Sequence, residues 1–325
     1  MKKKRVLSGI QPSGKLHLGN YLGAIKQYLQ AQEHEDWDRY FFIANYHSLT
    51  SRPDPEVLRE QSLDVARTYL ALGLDPQKSL LFLQTHVPEV TELAWILTCE
   101  APMGLLQRCT SYKDKVARGI LPNHGLFAYP VLQSADIMIY DSHLVPVGLD
   151  QKQHLEVCRD LALKMNARYG ELLVVPDAWI VEEVAVVPGT DGQKMSKTYN
   201  NTIDLFGSKK EMKAQIMSIV TDSKGLDEPK DPDTCNVFQI YKLVATSEEA
   251  AEMAERYRAG GYGYGHAKLA LLDKLQEMIA PHRDRYQYLV SHPDEVMDVL
   301  VEGGKAARAT ARQTMDRVRN AAGLL

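Results

Sequence analysis

His17 and Asn20 stand three positions apart in GIQPSGKLHLGN (residues 9–20), with Gly19 between them. Side chains at that spacing on a helix share a face, so two hydrogen-bond donors can reach one phosphate while Gly19 leaves room for a flat ring. A second stretch, DGQKMSKTYNN (residues 191–201), carries Lys194 and Lys197 with the hydroxyls of Ser196 and Thr198, on a loop that Gly192 frees at its start. An ammonium on a flexible stem suits charge that grows on a departing group. Each stretch alone has a plain reading: His17 as an incidental surface histidine, the lysines as a solvated turn. Two phosphate-grade sites in one chain, each following a strand, point instead to a pair of opposed clamps. The first stretch is not GxGxxG and lacks the lysine of a Walker loop, so neither a dinucleotide site nor a P-loop fits.

The surrounding periodicity supplies the elements that would position these groups. RVLSGI reads as a strand, and the turn QPSG leads into a helix marked by Leu18, Leu22, Ile25 and Leu29. YFFIANYHSL is a second strand with a polar end, DPEVLREQSLDVARTYLALGL an amphipathic helix bearing Val57, Leu58, Val65 and Tyr69, and SLLFLQ a short buried strand. Such alternation predicts a Rossmann-like, doubly wound parallel sheet covered on both faces. Residues 89–125 break the rhythm as a helical insertion, too large for a simple crossover and suited to a subunit interface. FAYPVLQSADIMIYDSHLVPVGLDQKQHLEVCRDLALKMNARYG then reads helix, strand, polar loop, helix, and a short strand-like run, AVVPG, leads into the lysine loop. Beyond it the pattern is all-helical, with Leu269, Leu272, Leu275 and Ile279 on one stripe and Ala307, Ala311, Met315 and Val318 on another. The expected division is a catalytic domain over 1–204 and a helical domain over 205–325.

Composition narrows the classes. The chain has 325 residues, 45% hydrophobic and 25% charged, as in an ordinary two-domain globular protein. No apolar run reaches the roughly 18 residues of a membrane helix, and MKKKRVLSGI passes directly into a strand, so a cytoplasmic protein without a membrane partner is expected. Cys99, Cys109, Cys158 and Cys235 lack CxxC spacing, and no structural metal is predicted. A net charge of -4 argues against a protein that coats DNA but not against a local basic face. The last 25 residues hold Lys305, Arg308, Arg312, Arg317 and Arg319 against Glu302 and Asp316, and are the first place to look for one.

The paired motifs resemble those of the class I aminoacyl-tRNA synthetases: HLGN matches HIGH and KMSKT matches KMSKS. SGIQPSGKLHLGNYLGA, PVGLDQKQHLE and SIVTDS look like the tryptophanyl family within that class, and the likeness runs over nearly the whole chain. The resemblance implies ATP as substrate with Mg2+ carried on it, activation of L-tryptophan to tryptophanyl-adenylate, transfer to tRNA(Trp), and a homodimer. Carried over by position, Gln11, Pro12, Ser13, His17, Gly19 and Asn20 hold the nucleotide. Gly148, Leu149 and Asp150 face the ribose and Val187 lies beside the adenine. Lys194, Met195, Ser196, Lys197 and Thr198 hold the pyrophosphate, and Lys115 approaches from the insertion. His17, Asn20, Lys194, Lys197 and Thr198 would be the catalytic set. Asp136 would accept the indole N–H, Leu7, His47 and Tyr129 would wall the pocket, and Gln133 and Gln151 would serve its polar end.

Three departures bear on selectivity. Thr198 replaces the last serine of KMSKS and keeps the hydroxyl; Gln133 stands where bacterial tryptophan enzymes have methionine; VVPGTDGQ is shorter than their loop and similar to that of the tyrosine enzymes. A tyrosyl-tRNA synthetase is therefore the alternative within the class, and a nucleotide- or RNA-binding paralogue without catalysis the alternative outside it. Asp136, next to the apolar Ile137 and Ile139, is either a helix N-cap or a binding group. Indole offers one donor and no acceptor, which suits a lone carboxylate, but a phenol also donates. His154, in DQKQHLE, reads as a packing or capping residue.

Overall fold

A computed structural model describes residues 3–109, 112, 119, 123–147, 152–180 and 187–325. Five strands, β1 (Lys4–Ile10), β2 (Trp37–Ile43), β3 (Ser79–Leu83), β4 (Leu144–Val147) and β5 (Asp177–Ile180), form one sheet in the order β3-β2-β1-β4-β5. Every pairing is parallel, and β1 and β2 run in step from Lys4 opposite Trp37 to Ile10 opposite Ile43. Strand order reverses between β1 and β4, the place where open parallel sheets bind ligands beyond the strands' carboxyl ends.

Both faces are covered, as the near-continuous apolar strands require. Phe41 and Ile43 point into one core, Tyr40 and Phe42 into the other, with the two-residue period of a strand. The first core takes α4 (Pro55–Ala71), capped by Asp54, whose side chain accepts from the N–H groups of Glu56 and Val57. It also takes α9 (Lys209–Met217), α10 (Asn236–Tyr241), α11 (Ser247–Ala259) and α12 (Tyr264–Ser291). The second is closed by α5 (Glu89–Glu100), α6 (Met103–Gln107), α7 (His124–Met138) and α8 (Lys152–Tyr169). The start of the chain's first helix is split: α1 (Leu18–Asn20) passes through a π-helical turn, Tyr21–Ile25, into α2 (Lys26–Ala31), and the short α3 (Asn45–Ser48) follows β2.

Some expectations shift by a position or an element. Val57 and Leu269 are exposed, and the buried stripe of α12 runs through Ala267, Leu271, Leu272, Leu275 and Ile279. The fifth strand is β5, a segment left unassigned by the sequence pattern; residues 185 and 186 of AVVPG lie outside the described residues, and Pro188 makes a single bridge to Lys194.

The last helix, α13 (Pro293–Ala322), belongs to both cores: Val296 and Leu300 sit in the first, Ala307, Ala311, Met315 and Val318 in the second. It crosses the edge strand β3 at Gly303 and Gly304, covering an edge that would otherwise be open. A Cβ at Gly303 would lie 2.2 Å from the Leu81 carbonyl oxygen, and one at Gly304 would lie 2.6 Å from the His86 Cβ. Gly303→Ala should therefore destabilise by about 1–3 kcal/mol, the usual cost of overpacking, although alanine is the better helix former. An unchanged or raised melting temperature would show that the crossing tolerates a side chain.

Candidate active site

The two motif stretches meet through backbone hydrogen bonds made just beyond the lysine loop. The Leu18 N–H donates to Ile203 O at 2.8 Å and the Leu205 N–H to Leu16 O at 3.3 Å. HLGN is thereby stitched to the segment leaving KMSKT, and the Gly19 N–H faces the Met195 sulfur at 3.3 Å. A Cβ on Gly19 would sit 3.0 Å from His17 Nδ1 and 3.3 Å from Met195 Cβ, so the glycine is needed for close contact within the chain. His17 is not on the helical turn; it is the N-cap, with extended backbone. The Asn20 side chain folds back so that its Oδ1 accepts from the His17 N–H at 3.1 Å, which turns its amide nitrogen outward as the remaining donor.

His17 is buried and its Nδ1 has no hydrogen-bond partner among the described residues. Burial, followed by the nearby Lys197 ammonium, lowers its pKa to about 4, so it is a neutral imidazole near pH 7. Lys197 reaches across to Gly14 O at 2.8 Å, at a left-handed turn with φ +101° that favours glycine. Burial lowers the Lys197 pKa, against the raising influence of Asp64 and Asp204. Lys194 and Thr198 are exposed, and the buried Met195 docks through its N–H on Val187 O at 2.9 Å. Ser196 caps the short turn Lys197–Tyr199 by accepting from the Thr198 N–H, which leaves its own hydroxyl hydrogen to donate. At the end of β1, Gln11 and Ser13 are exposed and Pro12 is buried.

A second cluster lies at the carboxyl ends of β2 and β3. Tyr129, Gln133 and Asp136 share one face of α7 at helical spacing. Asp136 is not a cap, because α7 begins at Asn123, whose side chain accepts from the Leu126 N–H at 2.8 Å. It is 1% exposed, with Oδ1 receiving Gln84 Nε2 at 2.7 Å and Oδ2 facing His47 Nε2 at 2.8 Å. Burial raises its pKa, opposed by the hydrogen bonds from His47 and Gln84. Gln84 is itself oriented, since its Oε1 accepts from the Tyr46 N–H at 2.9 Å. The Tyr129 ring lies between His47, 6.3 Å away edge-on, and His154, whose Nε2 is 2.7 Å from the Tyr129 hydroxyl. Leu7, buried on β1, belongs to the same core as the apolar residues of α7.

A family model described as class I tRNA synthetases (W and Y) matches residues 1–280. The tryptophan–tRNA ligase of Rhodopirellula baltica is 52% identical over 320 residues, 98% of this chain and 99% of the relative. That of Fusobacterium nucleatum is 52% identical over 323 residues, covering 99% and 98%. The chain belongs to the tryptophan–tRNA ligases. The Campylobacter jejuni tryptophanyl-tRNA synthetase solved with ADP and tryptophan superposes on this ligase with a TM-score of 0.92 at 50% identity, covering 98% of this chain and 99% of that one. A tyrosyl-tRNA synthetase from Archaeoglobus fulgidus shares the fold, with a TM-score of 0.63 at 21% identity.

Within this ligase the sequence motifs come together as expected, but several partners were not visible in them. Gln84 reads from sequence as the end of a buried strand; an amide closing SLLFLQ at a ligand-binding sheet edge was the available signal. His154, read as packing, is buried and reaches the Tyr129 hydroxyl. Lys115, Gly148, Leu149, Asp150 and Gln151 lie outside the described residues. Among the described residues no group of three or more His, Cys, Asp and Glu is placed to hold a metal ion, and no helix is long and apolar enough to cross a membrane.

The tail cations are internally paired rather than a free basic face. Arg308 and Arg312 bind the buried Glu89, Arg319 binds Glu92, Arg317 binds Asp141 and Lys305 binds Glu302. Burial raises the Glu89 pKa, but the hydrogen bonds from Arg308 and Arg312 outweigh it and the net shift is downward. This stabilisation is present above the ordinary glutamate pKa and is lost as pH falls through the lower folded one. Changing Arg308 and Arg312 to glutamine should cost about 1–3 kcal/mol by stranding a buried carboxylate. A melting curve reads the effect; no loss would return the arginines to the role of free surface cations.

Proposed function

We propose that the two clusters divide the ligase reaction between them, the HLGN and KMSKT pair holding ATP and the Asp136 cluster holding L-tryptophan. The observation that supports this reading is the stitching of Leu16–Leu18 to Ile203–Leu205, with Lys197 near enough to His17 to help lower its pKa and bonded to Gly14 O beside it. His17 and the outward amide of Asn20 donate to phosphate oxygens, joined by backbone at Gln11, Pro12 and Ser13. Lys194, Lys197 and Thr198 follow the departing pyrophosphate, while Val187 and Met195 back the loop. Mg2+ arrives with ATP and neutralises phosphate charge. The tryptophan carboxylate, ionised at neutral pH, attacks the α-phosphorus in line, so no general base is required. A hydroxyl of tRNA(Trp) then takes the acyl group from tryptophanyl-adenylate, forming an ester as AMP leaves and the hydroxyl proton is lost.

In the amino-acid pocket Asp136 accepts the indole N–H, His47 and Gln84 fix its two oxygens, and Leu7 and Tyr129 form the wall. Gln133 serves the ammonium end. We further propose residues 205–325 as the tRNA-binding part, a homodimer formed through the insertion, and a cytoplasmic location. Trp95 on α5 and Met103 on α6 are 69% and 62% exposed, which supports an interface there because apolar side chains of that size are usually covered. Sedimentation would read the assembly state. ATP–pyrophosphate exchange with each of the twenty amino acids tests the whole reading: exchange should depend on tryptophan, and equal or better exchange with tyrosine would overturn the pocket assignment.

A further inference from the structure

KMSKT is presented by a loop that is bonded together by one buried amide. Asn201 is 1% exposed. Its Oδ1 accepts from the Ser196 N–H at 2.7 Å, its Nδ2 donates to Asp191 Oδ1 at 2.7 Å and to Lys194 O at 3.2 Å, and its own carbonyl accepts from the Thr190 N–H at 3.0 Å. The amide orientation is forced, because an N–H lies on one side and a carboxylate and a carbonyl on the other. Both amide hydrogens are used. A Cβ on Gly189 would lie 2.2 Å from Asn201 Nδ2, so only glycine there admits the amide. The second carboxylate partner is local too: Asp191 Oδ1 also accepts from the Gln193 N–H at 3.0 Å, and its carboxyl is held below the usual range chiefly by the Asn201 amide.

We propose that Asn201 is a positioning residue for adenylate formation, which ties positions 190, 191, 194 and 196 into one rigid piece so that Lys194 and Lys197 act as a preformed pair. The inference rests on the reading of KMSKT as the pyrophosphate clamp. Its physical basis is the cost of ordering. A loop of small and polar residues, with Gly192 at φ +85° and Asn200 at φ +51°, has much conformational freedom to lose. With the amide in place that loss is met on folding, not when the transition state forms. Outer hydrogen bonds join the piece to its neighbours. Val220 N–H donates to Thr190 O at 2.7 Å and Asn236 Nδ2 to Val220 O at 3.0 Å, while Lys197 reaches Gly14 O.

The test uses the full-length enzyme with Asn201→Ala, Asn201→Asp, Asp191→Asn and the double change Asn201→Asp with Asp191→Asn. Single-turnover adenylate formation should slow about tenfold to a hundredfold in Asn201→Ala, the range for a misplacement of the order of an ångström. Tryptophan affinity by calorimetry should stay within about twofold, because the amino-acid cluster is untouched. Asn201→Asp should be at least as slow, since it sets two carboxylates against each other. The double change restores a donor opposite an acceptor between 191 and 201 but leaves Lys194 O without its donor, so it should recover part of the rate. Lys197→Ala serves as the reference, and its combination with Asn201→Ala should be less than additive. A normal rate in Asn201→Ala beside a slow Lys197→Ala overturns this proposal alone. A normal rate in Lys197→Ala overturns the clamp itself. Parallel loss of tryptophan affinity, or a double change as slow as Asn201→Asp, makes Asn201 an ordinary structural residue and also overturns the proposal.

Discussion

Replacing His17 or Asn20 by alanine is expected to lower the rate of tryptophanyl-adenylate formation by about one to three decades, the range seen when a transition-state donor is removed. His17 is held neutral by burial and by Lys197, so it contributes a directed N–H and not a charge. Asn20 spends its oxygen on the His17 N–H and keeps its amide hydrogens for the ligand. The two effects should not add, because loss of Asn20 also frees the His17 backbone. Since the His17 pKa is depressed from 6.5 to about 4, the fold favours the neutral form. Its stabilisation is complete above the unfolded value and is lost as pH falls between them. The acid limb of the rate profile owed to His17 should therefore lie near pH 4 and not near 6.5. Single-turnover quench flow across pH reads both quantities. An alanine variant with an unaltered rate would remove that residue from the phosphate site, and an acid limb near 6.5 that vanished in His17→Ala would contradict a neutral donor.

Asp136→Asn is expected to weaken tryptophan binding by about one to two decades, the worth of a charge-assisted hydrogen bond in a buried site. The carboxylate meets Gln84 and His47 with one oxygen each and has acceptor capacity left for an indole N–H. An asparagine must turn two hydrogens toward groups that are themselves donors, either Gln84 Nε2 or His47 Nε2. Gln133→Met, by contrast, should alter affinity less and preserve the preference for tryptophan over tyrosine and phenylalanine. Calorimetric titration of both variants separates the roles. Near-normal tryptophan affinity in Asp136→Asn, or a preference reversed by Gln133→Met, would exchange the assignments of the two residues.

The residues whose chemistry is local were legible in the sequence. HLGN and KMSKT declare themselves by side-chain type and spacing, and the strands β1 to β4 by apolar runs between helical periods. The stripe Ala307, Ala311, Met315, Val318 was also visible, because a helix records its buried face in its own period. Groups whose meaning depends on distant segments were not legible. Gln84 became a partner of Asp136 only because β2 and β3 end side by side beneath α7. Asp136 could be read as a cap until Asn123 was seen to start that helix. The tail arginines were only the first place to look for a basic face, and their pairing was not legible because their carboxylates, Glu89, Glu92 and Asp141, lie more than a hundred residues away in sequence. Gly303 and Gly304 acquire their meaning only where α13 crosses the backbone of β3, since a Cβ at either would meet Leu81 or His86. Short-range torsional and periodic preferences are written along the chain, whereas ion pairing, close approach and the orientation of a buried amide are set by whichever segments the sheet brings together.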